Sequence, residues 1–282
     1  MSLGVGGTDS VHVARHDDEI GEAGEYAVTV RDLSFQYESG LHVLDGLSYD
    51  FRQGSTVGIV GPSGCGKSTL LALVAGLLQP TAGGIHRTSF SRERHLLSVV
   101  FQRDTLLPWL TTLDNVNLYA RFKSVDRRLR DERARQLIGL AGLEGFERAY
   151  PYQLSGGMRR RVAFLAGVAP SPQILLLDEP FSSLDEPTRV AIHQDVLRII
   201  QQSKMTVVLV THDLAEALSL CDEVAIFTRR PAKVFSRHTV PFGHDRNVLE
   251  LRQSAEFLEL YGRLWHDLSL QLKAPEGRSH GA

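Results

Sequence analysis

Apolar and polar positions alternate through Tyr26-Ala-Val-Thr-Val-Arg31 and again through Leu47-Ser-Tyr-Asp-Phe51, the period-2 texture of half-buried strands. Glu38-Ser-Gly-Leu-His42 between them reads as a turn, so two or three antiparallel strands are expected early in the chain. Thr56-Val-Gly-Ile-Val60 is a short apolar strand, followed after a polar gap by the helical run Leu70–Leu78. Pro80-Thr-Ala-Gly-Gly84 interrupts the pattern, and Leu96–Phe101 resumes it as a strand. From about Asp104 to Val168 the chain reads as mainly helical. Two runs, Ile174-Leu-Leu-Leu-Asp178 and Thr206-Val-Val-Leu-Val-Thr211, have the unbroken apolar character of parallel strands covered on both faces. The helix Glu186–Ser203 between them makes a strand–helix–strand unit, Val224–Thr228 is the expected last strand, and Ser254–Leu272 is amphipathic. The pattern predicts an α/β fold.

Composition trims the possibilities. With 282 residues, 43% hydrophobic and 23% charged, the chain has the make-up of a soluble globular protein. Its longest apolar runs fall far short of the ~20 residues that span a bilayer. No basic stretch followed by an apolar one marks a signal peptide, and a cytoplasmic location is expected. The formal net charge of −2 gives no field for nucleic acid. Arginines of Asp126–Arg135 interleave with acids, as on a solvated helix face. Cys65 and Cys221 provide no disulfide framework and suit a reducing compartment. Residues 1–25, rich in Gly, Asp and Glu without periodicity, read as a mobile tail.

Candidate chemistry begins at the polar gap. Gly61-Pro62-Ser63-Gly64-Cys65-Gly66-Lys67-Ser68-Thr69 reads Gly-x4-Gly-Lys-Ser between a strand and a helix, the setting of a phosphate-binding loop. Glycines let successive backbone N–H groups turn toward phosphate oxygens above a positive helix end. Lys67 then reaches the β- and γ-phosphates and Ser68 ligates magnesium. A glycine-rich turn that binds nothing is the bland alternative. Cys65, at a helix N-terminus beside Lys67, is expected to have a lowered pKa and to react readily.

Asp178 ends a buried strand, so it emerges at the sheet edge where phosphates lie, placed to hold Mg2+ through water. Glu179 follows it, positioned to polarise the water attacking the γ-phosphorus. Thr211-His212-Asp213 ends another buried strand on the same edge, which sets His212 near the γ-phosphate. Leu154-Ser155-Gly156-Gly157-Met158-Arg159 offers a second anion-binding surface: Ser155 is a helix N-cap and two glycines expose backbone N–H groups. One nucleotide rarely needs two such cradles from one subunit, so two subunits facing each other are the economical explanation. Tyr37 fits either adenine stacking or a strand core, and spacing alone leaves both open.

These motifs together resemble the ATP-binding subunit of an ABC transporter over about residues 26–230. Walker A corresponds to Gly61–Thr69, the Q-loop glutamine to Gln102, the signature to Leu154–Met158, and Walker B to Ile174–Asp178 with Glu179 as catalytic base. Ser183-Leu184-Asp185 matches the D-loop and His212 the switch histidine; Tyr37 matches the adenine-stacking aromatic. The resemblance implies a P-loop NTPase (RecA-like) core with an antiparallel β subdomain, an inserted helical subdomain at about 104–168, and a C-terminal extension over 231–282. It implies ATP and Mg2+ as cofactors, with Ser68, Gln102 and Asp178 at the metal and Asp185 at the nucleotide. It also implies a homodimer closed on two ATP molecules, permease subunits in the membrane near Trp109, and indirectly a solute-binding protein.

Leu106-Leu-Pro-Trp109, Leu113-Asp-Asn-Val116 and the tail Ser254–Leu260 are similar to importer ATPases for nitrate, sulfonate or taurine. Thiamine-precursor and riboflavin-type importers share parts of the pattern, so the substrate stays open. Two departures stand out: Arg160 where that group has glutamine, and Leu165-Ala166-Gly167 where it has Ala-Arg-Ala. The glycine is expected to weaken its helix by roughly 1 kcal/mol relative to alanine. Competing readings are a soluble ABC ATPase not coupled to transport, and a weakly hydrolytic switch that dimerises on ATP.

Overall fold

A computed structural model describes residues 25–89, 95–102, 105–123, 125–182, 184–243 and 246–273. All but the last residue of the tail expected over 1–25 lies outside the described residues, as does Ser183. Strands β1 (Tyr26–Gln36) and β2 (His42–Arg52) pair antiparallel around the expected turn. β3 (Thr56–Val60) runs into the glycine-rich loop and helix α1 (Lys67–Val74). β4 (Ala82–Arg87) then returns to β1, completing a sheet of order β2-β1-β4.

Strand β4 corrects the sequence reading, which took Pro80–Gly84 as a plain break. Its second residue, Gly83, lies where a Cβ would stand 2.2 Å from the Asp32 carbonyl oxygen. The pairing of β1 with β4 is irregular there, and only a residue without a side chain lets the two backbones pass.

The second sheet adds β5 (Leu97–Val100), β6 (Ile174–Asp178), β7 (Thr206–Thr211), β8 (Glu223–Phe227) and β9 (Val234–Thr239), in the order β5-β6-β7-β3-β8-β9. Every neighbouring pair is parallel except β8 with β9. Strand β9 was also missed in the sequence, where Val224–Thr228 stands as the last strand. It is an edge strand, half-buried at Val234, Ser236 and His238 and exposed at Phe235, Arg237 and Thr239, so its apolar signal is thin.

Between β5 and β6 lie α2 (Thr112–Val116), α3 (Leu118–Phe122), α4 (Arg127–Leu140) and α5 (Gly156–Val168). Helix α6 (Glu186–Ser203) links β6 to β7, and α7 (Leu214–Leu220) links β7 to β8. After β9 come α8 (Val248–Leu251) and α9 (Ala255–Lys273).

The pleat explains the unbroken apolar runs. Leu175, Leu177, Val207, Leu209, Val224 and Ile226 face one core, shared with α5, α6, α7 and α9. Ile174, Leu176, Val208, Val210, Ala225 and Phe227 face the other, shared with α1 and the antiparallel sheet. Alternate residues thus fill opposite layers, and each fully buried aliphatic contributes about 1.5–3 kcal/mol. Helix α9 docks through Phe257, Leu260, Leu264 and Leu268, spaced at three and four residues, against α7, β8 and β9. Its end is held by Arg229 Nε, which donates to the Gln271 carbonyl at 3.0 Å, and by His238 Nε2, 2.8 Å from Asp267 Oδ2.

Gly167 has a packing reason that the sequence did not show. A Cβ there would fall 2.5 Å from Val100 Cγ2, so the glycine lets α5 lie close on β5. The intrinsic helix cost is offset by that approach.

Candidate active site at the carboxyl edge of the sheet

Parallel strands deposit their following residues at one edge, and here four of them do so together. β3 leads to Gly61–Thr69, β5 to Gln102, β6 to Asp178 and Glu179, and β7 to Thr211 and His212. In an open parallel sheet this is the edge where ligands bind.

The glycine-rich loop is shaped by backbone constraint. Gly66 has φ 123°, and a Cβ there would stand 2.7 Å from Val43 Cγ1, so no other residue fits. It caps α1 without a side-chain hydrogen bond, leaving the helix's first N–H groups to another acceptor. Lys67 is buried, and its Nζ donates to the carbonyls of Gly61 (2.8 Å) and Pro62 (3.0 Å), which arches the loop over the ammonium. An anionic ligand suits such a helix end.

The Ser68 hydroxyl donates to Asp178 Oδ1 at 2.8 Å, bringing together two hard oxygen groups that lie 110 residues apart in the sequence. Burial pushes the Asp178 carboxyl up, the Ser68 hydrogen bond opposes that, and the charge of Glu179 adds to it. A carboxylate raised in this way is stabilised by a cation, so the pair fits a magnesium ion. No cluster of three or more His, Cys, Asp or Glu among the described residues could hold a metal by itself. A cation at Ser68 and Asp178 therefore needs further oxygens, such as those of phosphates.

Glu179 has φ 44°, an uncommon conformation for a side chain of its kind. Its backbone is pinned there: the N–H donates to Val210 at 2.9 Å, and the carbonyl accepts from Ser182 Oγ at 3.1 Å. One carboxylate oxygen, Oε2, accepts from Gln102 Nε2 and lies against His212 Nδ1, both at 3.1 Å. With a carboxylate opposite it, Nδ1 carries the proton. Oε1 has no partner among the described residues, so it is the oxygen positioned to meet a solvent molecule.

Tyr37 is 40% exposed, set edge-on to Phe35 with ring centroids 4.8 Å apart, and its hydroxyl lies 3.2 Å from Thr69 Oγ1. It stands beside the start of α1 and is not a core residue. Trp109 is 70% exposed, so it does not plug the core of the helical region.

Ser155, Gly156 and Gly157 stand apart from this group within one chain. Ser155 caps α5, accepting from Met158 N at 3.2 Å. Helix α5 packs mainly on α2, α4 and β5, whereas α1 lies against β6 and β7. Gly157 lies against α6, where a Cβ would come 3.0 Å from Thr188 Cγ2. Asp185 is turned to its own helix, its carboxylate accepting from Thr188 N (3.2 Å) and Thr188 Oγ1 (3.0 Å).

The structure overturns one expectation. Cys65 is only 2% exposed, and burial pushes its thiol pKa up, more than Lys67 and the loop N–H groups pull it down. The helix end and the lysine are visible in the sequence, whereas the burial that outweighs them is not. Cys221 is buried too, and its thiol is raised well above the usual range by the same cause. A maleimide dye is therefore expected to leave the native protein unlabelled and to label both cysteines after denaturation. Rapid native labelling of Cys65, read by peptide mapping, would restore the original reading.

Comparison with known proteins places these features in context. The family model described as "ABC transporter" matches residues 44–182. The chain is 39% identical over 231 residues to a taurine import ATP-binding protein of Rhizobium johnstonii, covering 80% of this chain and 88% of that protein. It is 39% identical over 239 residues to a nitrate import ATP-binding protein of Synechococcus elongatus, covering 82% of this chain and 36% of that one. Among solved structures it is similar to the ATP-binding cassette MJ0796, a dimer in a post-hydrolysis state with ADP and phosphate. That match has 31% identity and TM-score 0.66, covering 76% of this chain and 98% of the cassette.

Proposed function

Because the chain belongs to the ABC transporter family as an ATP-binding subunit and ATPase, we propose that it is the motor of an importer for a small anionic solute. The observation that carries the hydrolytic part is Glu179, held by Gln102 and His212 at the sheet edge beside the phosphate loop. The loop N–H groups and Lys67 bind the β- and γ-phosphates of ATP, and Tyr37 stacks on the adenine. Glu179 Oε1 accepts a proton from the attacking water. The water oxygen bonds to the γ-phosphorus as the bond to the bridging oxygen breaks, giving ADP and phosphate. His212 and Gln102 orient the carboxylate and report the state of the γ-phosphate. A magnesium ion held by Ser68, Asp178 and Gln102 supplies charge neutralisation at the β- and γ-phosphates when bound.

The separation of Ser155–Gly157 from the phosphate loop within one chain supports a homodimer in which each signature segment completes the other copy's site. The dimeric state of the similar cassette agrees with that arrangement. Exposed Trp109, beyond Gln102, is where a permease subunit would dock and receive the motion. No helix among the described residues is long and apolar enough to cross a membrane, so the membrane passage falls to such a partner. The protein then works at the cytoplasmic face, with a solute-binding protein delivering cargo from the far side. Taurine and nitrate, named for the similar import proteins, frame the class of solute: taurine, another sulfonate, or nitrate.

The test is co-purification with an integral membrane subunit, followed by vesicle uptake of taurine, an alkanesulfonate and nitrate. ATP-dependent uptake of one of them is expected. An ATPase that copurifies with no membrane protein and drives no uptake would remove the transport reading.

A further inference from the structure

We infer that Arg189 is a positioning residue, a single guanidinium that fixes the D-loop backbone to the switch loop so that the two move together. The inference rests on the ATPase reading above and adds to it a residue that sequence motifs do not single out.

Arg189 lies in the first turn of α6, directly after the D-loop. Its Nη2 donates to the carbonyl of Leu184 at 2.8 Å, and its Nη1 donates to Asp213 Oδ2 at 2.5 Å. Leu184 precedes Asp185, and Asp213 follows His212. One rigid fork therefore spans two loops that arrive from different strands. Glu186 Oε2, 3.6 Å from Nη1, is the other acid facing it. The ion pair is largely sheltered, with Arg189 and Asp213 side chains 19% and 20% exposed.

The Asp213 end is fixed independently. Its Oδ1 accepts from Ala215 N at 2.8 Å and Glu216 N at 3.2 Å, capping α7. Burial pushes its carboxyl up, but the Glu216 N–H and Arg189 outweigh that, and the group stays below the usual carboxylate range. It is ionised at neutral pH in this setting.

The bridge leads to the reacting centre in both directions. From Asp213 it passes through the adjacent His212 to Glu179 Oε2. From Leu184 it passes through Asp185 and Thr188 to Gly157 of the signature segment, against which Thr188 lies. A shift of the signature segment as two copies close is thus carried through a stiff link to the histidine that orients the base. Lysine cannot replace it in full, since one ammonium lacks the planar fork that serves both acceptors. Nε of Arg189 is buried without a partner among the described residues, a cost tolerated for the sake of the other two contacts.

The experiment compares ATP turnover, ATP affinity and ATP-dependent dimerisation in wild type, Arg189→Ala, Arg189→Lys and Glu179→Gln. Thermal melts give the folded fraction by which turnover is scaled. For Arg189→Ala the expected result is a kcat lowered about 10-fold or more, since misplacement of about 1 Å at a reacting group can cost 10²-fold. KM for ATP and the affinity of the single chain stay within about twofold, because the phosphate loop is untouched. Arg189→Lys, which keeps the contact to Asp213, recovers part of the loss. Unchanged kcat per folded Arg189→Ala protein overturns the inference, and so does a loss that appears equally in ATP affinity. If Arg189→Ala does not fold, the Lys variant decides by the same split. Should Glu179→Gln turn over like wild type, the ATPase assignment fails, which is distinguishable from failure at Arg189 alone.

Discussion

Glu179→Gln is expected to lower kcat for ATP hydrolysis by about 10²- to 10⁴-fold, the usual contribution of a positioned general base. The amide keeps nearly the same shape and the same place, because the backbone around residue 179 is pinned by Val210 and Ser182. It cannot take a proton from water, so the loss appears in turnover and not in ATP binding. The substitution also removes a negative charge beside Asp178, whose carboxyl that charge pushes up. ATP affinity therefore stays level or rises slightly. Phosphate release under saturating ATP, together with gel filtration in ATP, checks both halves: the variant should accumulate as a dimer that wild type passes through. Turnover within a few-fold of wild type would mean that another group takes the proton.

A second large effect is expected where the two copies complete each other. Ser155→Arg places a long cation on the exposed cap of α5 and should abolish most turnover, while its own phosphate loop binds ATP normally. Loss of a phosphate-binding donor surface of this kind costs on the order of 10²-fold. The cap itself contributes only about 1 kcal/mol, so the fold survives. Ser155 is a better probe than Gly157, where a side chain would strike Thr188 of the same chain. Lys67→Ala should be inactive for the opposite reason, a damaged loop with an intact Ser155. Mixing the two variants creates one site with a sound loop from one copy and a sound signature from the other. Turnover on the order of tenfold above either variant alone is expected from the mixture. No recovery, with mixed dimers demonstrated by tagged pull-down, would sink the shared-site arrangement.

How much of this was legible beforehand depends on what each residue's signal is. Gln102, Asp178, Glu179 and His212 follow apolar runs, and the end of a buried parallel strand is readable from pattern alone. The same periodicity located α9 to within a residue of its ends. What failed were features set by neighbours distant in sequence. β4 looked like a break because Gly83 is there to pass Asp32, and β9 looked like loop because an edge strand needs little apolar surface. Cys65 was misjudged because it is buried in the apolar cluster that also holds Val57, Ile59 and Phe227, which its motif does not show. Gly167 seemed a defect until Val100 appeared beneath it. Arg189 carries no pattern at all, and only the meeting of two loops shows what it holds.

The pairing of β5 with β6 has a consequence for how such a protein diversifies. The whole helical region leaves the sheet after Val100 and returns at Ile174, and these two strands lie side by side in register. Val100 and Ile174 stand at opposite ends of two adjacent parallel strands, a short fixed span that chains of many lengths can bridge, since the closure entropy grows only slowly with length. The helices can therefore lengthen, shorten or change their outward face without moving Asp178 or Glu179. The exposed surface around Trp109 and Phe122 can change in this way as long as Gln102 and Ser155–Gly157, which belong to the same detour, keep their places.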